Sequence, residues 1–411
     1  MFSRLAALGH AAVLTLALAL PNTSAHLAGN APVPSHAGGV QATSNYRTSI
    51  TSVEPALPGL TVRTADLAGT LELSYTPSGT TPGTTPGNDA VVVLGYEGEP
   101  YLRISARGVE RNEHSPATYL NQDRYARTPL PADADAKAAP SWVLISTGHT
   151  VRWHDHRTHW MDPTPPDAVR AHPDAVNVIF PEWKVPLQVT SGGDATAATA
   201  SSAPVAPSGP GAPGAPTEVA VTGRLEWLPP PSPTVWIVMV VVGCAVLIGA
   251  FVVLATTPSR LRRTLVVCLS LAAIVFFIDS VGYFTSPGIR AAGGVSVLWY
   301  CVAPLVALGA CGTAWWAATR RENDAAPEHA PVPTLLGVTL AVGAGLVTVV
   351  GGIDRVDVWS HSQVASAWSQ GWASAAAALC LLVGLSVFVG LVYLVARPLL
   401  SSGAPREAPP A

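Results

Sequence analysis

Residues 26–234 contain no long apolar run, whereas residues 235–396 contain five. That division constrains the fold more than any motif. Each run is near the ~20 residues a helix needs to cross a bilayer. The expected spans lie at about Val235–Ala255, Thr264–Phe284, Val295–Ala318, Leu335–Ile353 and Ala373–Val395. Backbone groups in hydrocarbon must be satisfied within the segment, so 235–396 is expected to be an all-α membrane region of about five transmembrane helices. Bulk composition agrees, with 49% apolar and only 12% charged residues.

Positive charge sets the expected orientation. Arg260, Arg262 and Arg263 separate the first two spans, Arg320 and Arg321 separate the third and fourth, and Arg397 follows the fifth. All fall on one side, opposite residues 26–234, so the tail 397–411 is expected to be cytoplasmic and the N-terminal half extracytoplasmic. Residues 1–25 read as a signal peptide: Arg4, the apolar stretch Leu5–Leu20, then Thr23-Ser24-Ala25 as a cleavage site, with an uncleaved anchor as the alternative. The expected location is a cell membrane, multi-pass. Net charge of −3 and no Lys/Arg cluster outside the membrane-flanking loops argue against a nucleic-acid partner.

The N-terminal half reads as all-β. Thr70–Tyr75 and 101–106 alternate, and Ala90–Leu94 is a continuous apolar run. Further strand candidates are Trp142–Ser146, Thr150–His154, Val185–Thr190 and Glu218–Trp227. Short strands between Gly/Pro turns, without helical periodicity, point to a sandwich or partly open barrel over 45–228. Residues 81–87 read as a hairpin tip. Composition predicts disorder for the N-terminal segment 26–44 and for a long loop at 191–216. The proline-rich 229–234 reads as a stiff spacer. All five cysteines (Cys244, Cys268, Cys301, Cys311, Cys380) lie in expected spans, which excludes a disulfide-stapled β-domain and a thiolate-ligated blue-copper site.

The densest chemistry is Trp153-His154-Asp155-His156-Arg157-Thr158-His159-Trp160-Met161. Imidazole is the commonest protein ligand of late first-row metals, and thioether suits copper. If 150–156 is one strand, His154 and His156 share a face and Asp155 takes the other. His159 joins them only if the chain bends. The expected site is a Cu(II) or Zn(II) centre of His154, His156 and His159, with Asp155, Met161 or His149 as further ligands. Such a site is expected to lose affinity steeply below pH ~6.5, where imidazole protonates. The alternative is a hydrogen-bonded belt between Trp153 and Trp160 that holds a loop in place. His26 would chelate through its amine and ring if cleavage follows Ala25. Tyr119–Tyr125 reads as a polar turn or the lining of a ligand groove. No His-Glu-x-x-His, Gly-x-Ser-x-Gly or Ser-x-x-Lys motif occurs, so no catalytic residues are assigned and an enzyme is the less favoured reading.

These segments carry a resemblance. Together with Val93–Leu102, Ser115–Tyr125, Trp183–Leu187 and Gly223–Trp227, the WHDHRTHWM run resembles a family of uncharacterised actinobacterial envelope proteins. The resemblance implies a signal peptide, an extracytoplasmic domain and C-terminal membrane helices, and it implies no activity. His26 alone resembles the copper-binding N-terminal His of secreted copper-resistance β-barrel proteins, whose remaining pattern this chain lacks.

In the membrane half, Asp279 is the one ionisable residue well inside a span. It reads either as a proton or cation site or as a group at the wet interface. Trp359, Trp368 and Trp372 read as an interfacial aromatic belt. Two functions are therefore expected of the chain: binding copper or another divalent metal for envelope homeostasis, or a non-catalytic scaffold role with an envelope protein partner. The lipid bilayer is the partner common to both.

Overall fold

The computed structural model describes residues 43–77, 89–190, 217–286, 302–313 and 331–401. The chain divides into two compact units with the boundary between Pro230 and Pro231, inside the proline-rich segment.

The first unit is β-rich. Its strands are β1 (Thr43–Ser44), β2 (Tyr46–Glu54), β3 (Leu60–Thr64), β4 (Thr70–Tyr75), β5 (Ala90–Leu94), β6 (Pro100–Ser105), β7 (Gly108–Asn112), β8 (Trp142–Ser146), β9 (Thr150–His154), β10 (Asn177–Thr190) and β11 (Thr217–Trp227). Two short helices, α1 (Ala117–Leu120) and α2 (Asp167–Ala171), interrupt them. A seven-stranded antiparallel sheet runs β2-β11-β10-β5-β6-β7-β8, and a three-stranded antiparallel sheet runs β3-β4-β9.

Alternation explains how the sheets meet. Leu71 and Leu73 of β4 and Val151 and Trp153 of β9 bury one face of the small sheet. They share a single apolar cluster with Val91, Val93, Leu102, Ile104, Val185, Leu187, Val219 and Val221 of the large one. On the opposite face of the small sheet, the register places Glu72 between Arg63 and Arg152. Glu72 accepts from both, at 2.6 Å from Arg63. Burial alone would raise its carboxyl, but the two guanidiniums outweigh that and hold it below the usual carboxylate range. A one-residue slip would move Leu71 and Leu73 out of the core and break this triad, so the register of β4 is doubly specified.

The second unit is helical: α3 (Thr234–Leu254), α4 (Pro258–Thr285), α5 (Val302–Thr313), α6 (Pro331–Ile353) and α7 (Gln370–Ser401). Helix α7 is the hub, packing on α3, α4 and α6. Glycines let the backbones approach. A Cβ on Gly243 would meet Leu382, one on Gly352 would meet Leu381, and one on Gly384 would meet Val349.

Among the described residues, three helical stretches are long and apolar enough to cross a membrane: Thr234–Leu254, Ser259–Thr285 and Gln370–Tyr393. The expected fourth span lies within α6, Pro331–Ile353, of which Ala341–Ile353 forms a shorter apolar stretch. The expected third is described only over Val302–Thr313, and the rest of it, with Cys301, lies outside the described residues. So do the expected signal peptide, the hairpin tip at 81–87, the loop at 191–216 and most of 26–44. The aromatic belt is corrected. Trp368 and Trp372 are exposed, but Trp359 is buried against Val358, Ala373 and Ala377 and donates to the Ser374 carbonyl.

Candidate metal centre

Strand β9 ends at His154, opposite Thr70 of β4. The chain then turns, so the expected single strand face for His154 and His156 is not what the structure shows. The cause is Asp155. Its carboxylate accepts the backbone N–H of Arg157, and its carbonyl accepts the N–H and hydroxyl of Thr158, closing a turn over Asp155–Thr158. The Thr158 hydroxyl also lies 2.7 Å from the Gly69 carbonyl, and the Thr158 carbonyl accepts from Thr48 at 2.7 Å. The bend folds His159 back onto His154, with ring centroids 4.2 Å apart.

The turn gathers all three imidazoles. One nitrogen from each of His154, His156 and His159 lies within 4.8 Å of the others. Tetrahedral coordination at ~2.0–2.1 Å needs nitrogens about 3.3 Å apart, so side-chain rotation of about an ångström would close the site on an ion. Among the described residues, no other group of three or more His, Cys, Asp or Glu side chains is so arranged.

Hydrogen bonding fixes which nitrogens are available. His159 Nδ1 lies 3.0 Å from the Trp160 carbonyl, and His156 Nε2 lies 2.9 Å from the Asp123 carbonyl. A carbonyl only accepts, so both nitrogens carry hydrogen, leaving lone pairs at His159 Nε2 and His156 Nδ1. His159 Nε2 and both ring nitrogens of His154 are buried without hydrogen-bond partners. Buried polar atoms are normally paired, so orphaned nitrogens on two rings of this cluster fit a role as metal ligands. Imidazoles whose second nitrogen donates to a carbonyl have the usual outer shell of metal-ligating histidine.

Burial depresses all three rings. Desolvation, with smaller contributions from His156 and Arg124, lowers His154 to about 4. Desolvation and the neighbouring His154 lower His159 to about 3. His156 is also lowered, mainly by burial. The rings are thus held neutral, the form that ligates.

Asp155 is not among the donors, which corrects the expectation for it. It is fully buried and receives Arg157 Nε and Nη2, each at 2.8 Å, and Trp153 Nε1 at 2.9 Å. Burial would raise its carboxyl, but Arg157 prevails and holds it below the usual range. Arg157 in turn donates to the Leu94 carbonyl and lies over the Tyr96 ring. His149 precedes the start of β9, at the end away from His154, and is not in the group of three, while Met161 is half-buried two residues past His159. His26 lies outside the described residues.

Three further residues support the centre; Tyr96 and Gly69 have no local signal for that role, whereas Asp123 lies in the Tyr119–Tyr125 segment singled out by its sequence. Tyr96 stacks on His156 with rings 12° from parallel, accepts the His156 N–H at 3.0 Å and donates to Asn121. The Asp123 carbonyl receives both His156 and the Ala126 N–H, so the Tyr119–Tyr125 segment serves the centre through its backbone. Gly69 has φ +88°, and a Cβ there would lie 2.9 Å from His159 Cβ and from Thr158 Oγ1. Gly69→Ala should cost about 1–2 kcal/mol of stability and weaken metal binding at least tenfold, read by thermal melts and metal titration. Unchanged affinity would show that Gly69 does not position His159.

Asp279 is not a wet interfacial group, one of the two expected readings for it. It is fully buried and ion-paired with Arg355 at 2.7 Å. Arg355 also donates to the Gly351 carbonyl and Ser280 Oγ, and lies over the Phe276 and Tyr283 rings. The pair ties α4 to the end of α6.

Comparison with protein-family models, curated proteins and solved structures finds no match for the chain.

Proposed function

We propose that this chain is a membrane-anchored extracytoplasmic protein that binds copper or another divalent metal through His154, His156 and His159. The observation that carries this reading is the convergence of three neutral imidazoles, two of which, His154 and His159, have buried ring nitrogens without a hydrogen-bond partner. Imidazole-only donors suit Cu(II) and Zn(II). The test is metal content of the full-length chain in detergent after exposure to Cu(II) or Zn(II) and removal of excess. One ion per chain is expected, falling to background in His154→Ala/His156→Ala/His159→Ala. Equal metal content in wild type and variant would end the proposal.

The setting supports an envelope role. The two sheets share one core, which favours a sandwich. The arginines of the membrane half favour this domain outside and the C-terminus inside, with the two shorter apolar helices completing up to five spans. The resemblance to actinobacterial envelope proteins is part of the same proposal. A second reading, as a scaffold module, is favoured by β8. This strand lies at one edge of the seven-stranded sheet, and Val143, Leu144 and Ile145 are all exposed. An apolar edge strand of this kind is a template for pairing with a partner strand.

A further inference from the structure

We propose that the metal held by His154, His156 and His159 keeps one coordination position for a small exogenous anion such as hydroxide or a carboxylate. This rests on the metal reading of the same site. Three-ligand zinc sites differ from closed four-ligand ones in this respect, leaving a position that water or substrate fills.

The donor count is the first argument. The group comprises three imidazoles, with no His, Cys, Asp or Glu among the described residues as a fourth member. Charge is the second. Three neutral rings leave a divalent ion with its full charge, and the nearby carboxylates are committed elsewhere. Asp155 is held by Arg157 and Trp153, and the Asp123 carboxylate pairs with Arg127 at 3.0 Å while only its carbonyl reaches His156. Arg124 adds a positive field acting on His154 and His159. A buried, uncompensated cation is costly, so an anion entering from solvent is strongly favoured. Burial is the third. His159 is 3% exposed and His156 9%, and both ring nitrogens of His154 are buried, so an ion here is shielded from bulk water and attracts a small anion more strongly than an exposed ion would.

The test uses the full-length chain in detergent, loaded with Cu(II) to a measured stoichiometry and titrated with azide. A saturable near-ultraviolet charge-transfer band is expected at one azide per copper, and formate should raise the azide midpoint by competition. The band should be absent in His154→Asn/His159→Asn, which excludes copper elsewhere on the chain as its source. Stoichiometric copper with no azide response would overturn this inference while leaving the metal reading intact. A response gained only in Met161→Leu would overturn it too, by showing that the thioether closes the position. Failure to take up copper would overturn both.

Discussion

Asp155→Ala should destabilise the β-rich unit by about 3–5 kcal/mol, enough to unfold many domains at ordinary temperature. The carboxylate is fully buried and satisfies two Arg157 nitrogens, the Arg157 backbone N–H and Trp153 Nε1. Removing it strands a guanidinium that is only 21% exposed and an indole N–H inside the core. Breaking one side of a buried pair is far more damaging than replacing both. Asp155→Ala/Arg157→Met should therefore recover part of the loss, and Asp155→Asn should fall between wild type and Asp155→Ala. Thermal and denaturant melts of these four proteins, with Arg157→Met added to close the double-mutant cycle, give the coupling. If Asp155 were instead a metal ligand, Asp155→Asn would lose metal at nearly unchanged stability. The structure predicts the reverse: reduced stability, with one ion still bound below the melting transition.

That reversal shows where the sequence stops being informative. Strands β4, β5, β8 and β9 are legible because alternation or a continuous apolar run survives in them, and β6 differs by one residue at each end. Strands β2, β3 and β7 are not, because the sequences YRTSITSVE, LTVRT and GVERN are largely polar and draw stability from neighbouring strands. The first half of β10 was hidden by Pro181 and by register shifts between Val178 and Trp183. Apolar length alone identifies α3, α4 and α7, and the helix α6 over Pro331–Ile353 covers the apolar run expected at Leu335–Ile353.

The centre follows the same rule. Histidine density marks the place, but period two fails at His154 because the Asp155 turn, a side-chain-to-backbone choice, overrides the strand. Tyr96 and Gly69 reach the site from segments far away in the chain, so no local pattern announces them, and Asp123, within the polar Tyr119–Tyr125 segment, serves through its backbone carbonyl, which no side-chain pattern reveals.

The metal-free protein should lose stability steeply on acidification, and the loss should trace to the same imidazoles. His154 and His159 have folded-state values of about 4 and about 3, both below the ordinary 6.5. Between those limits the unfolded chain takes up protons that the folded chain refuses. Stability is therefore fully present above pH 6.5 and falls as pH drops toward the folded values. At pH 5 each ring left neutral costs about 2 kcal/mol relative to neutral pH, so the two together cost about 4 kcal/mol. His156 acts in the same direction. Melts of the metal-free, full-length chain at pH 7.5 and 5.0 should show a large drop in Tm for wild type. His154→Asn/His159→Asn should show a much smaller one. Equal drops would mean that the rings are not the buried neutral groups described above. The same displacement moves the expected pH limit of metal binding. An ordinary histidine trio would start to surrender its ion near pH 6.5, but these rings stay neutral well below that value. Metal bound at pH 7.5 should therefore survive dialysis at pH 5.5, and its loss should coincide with unfolding rather than precede it.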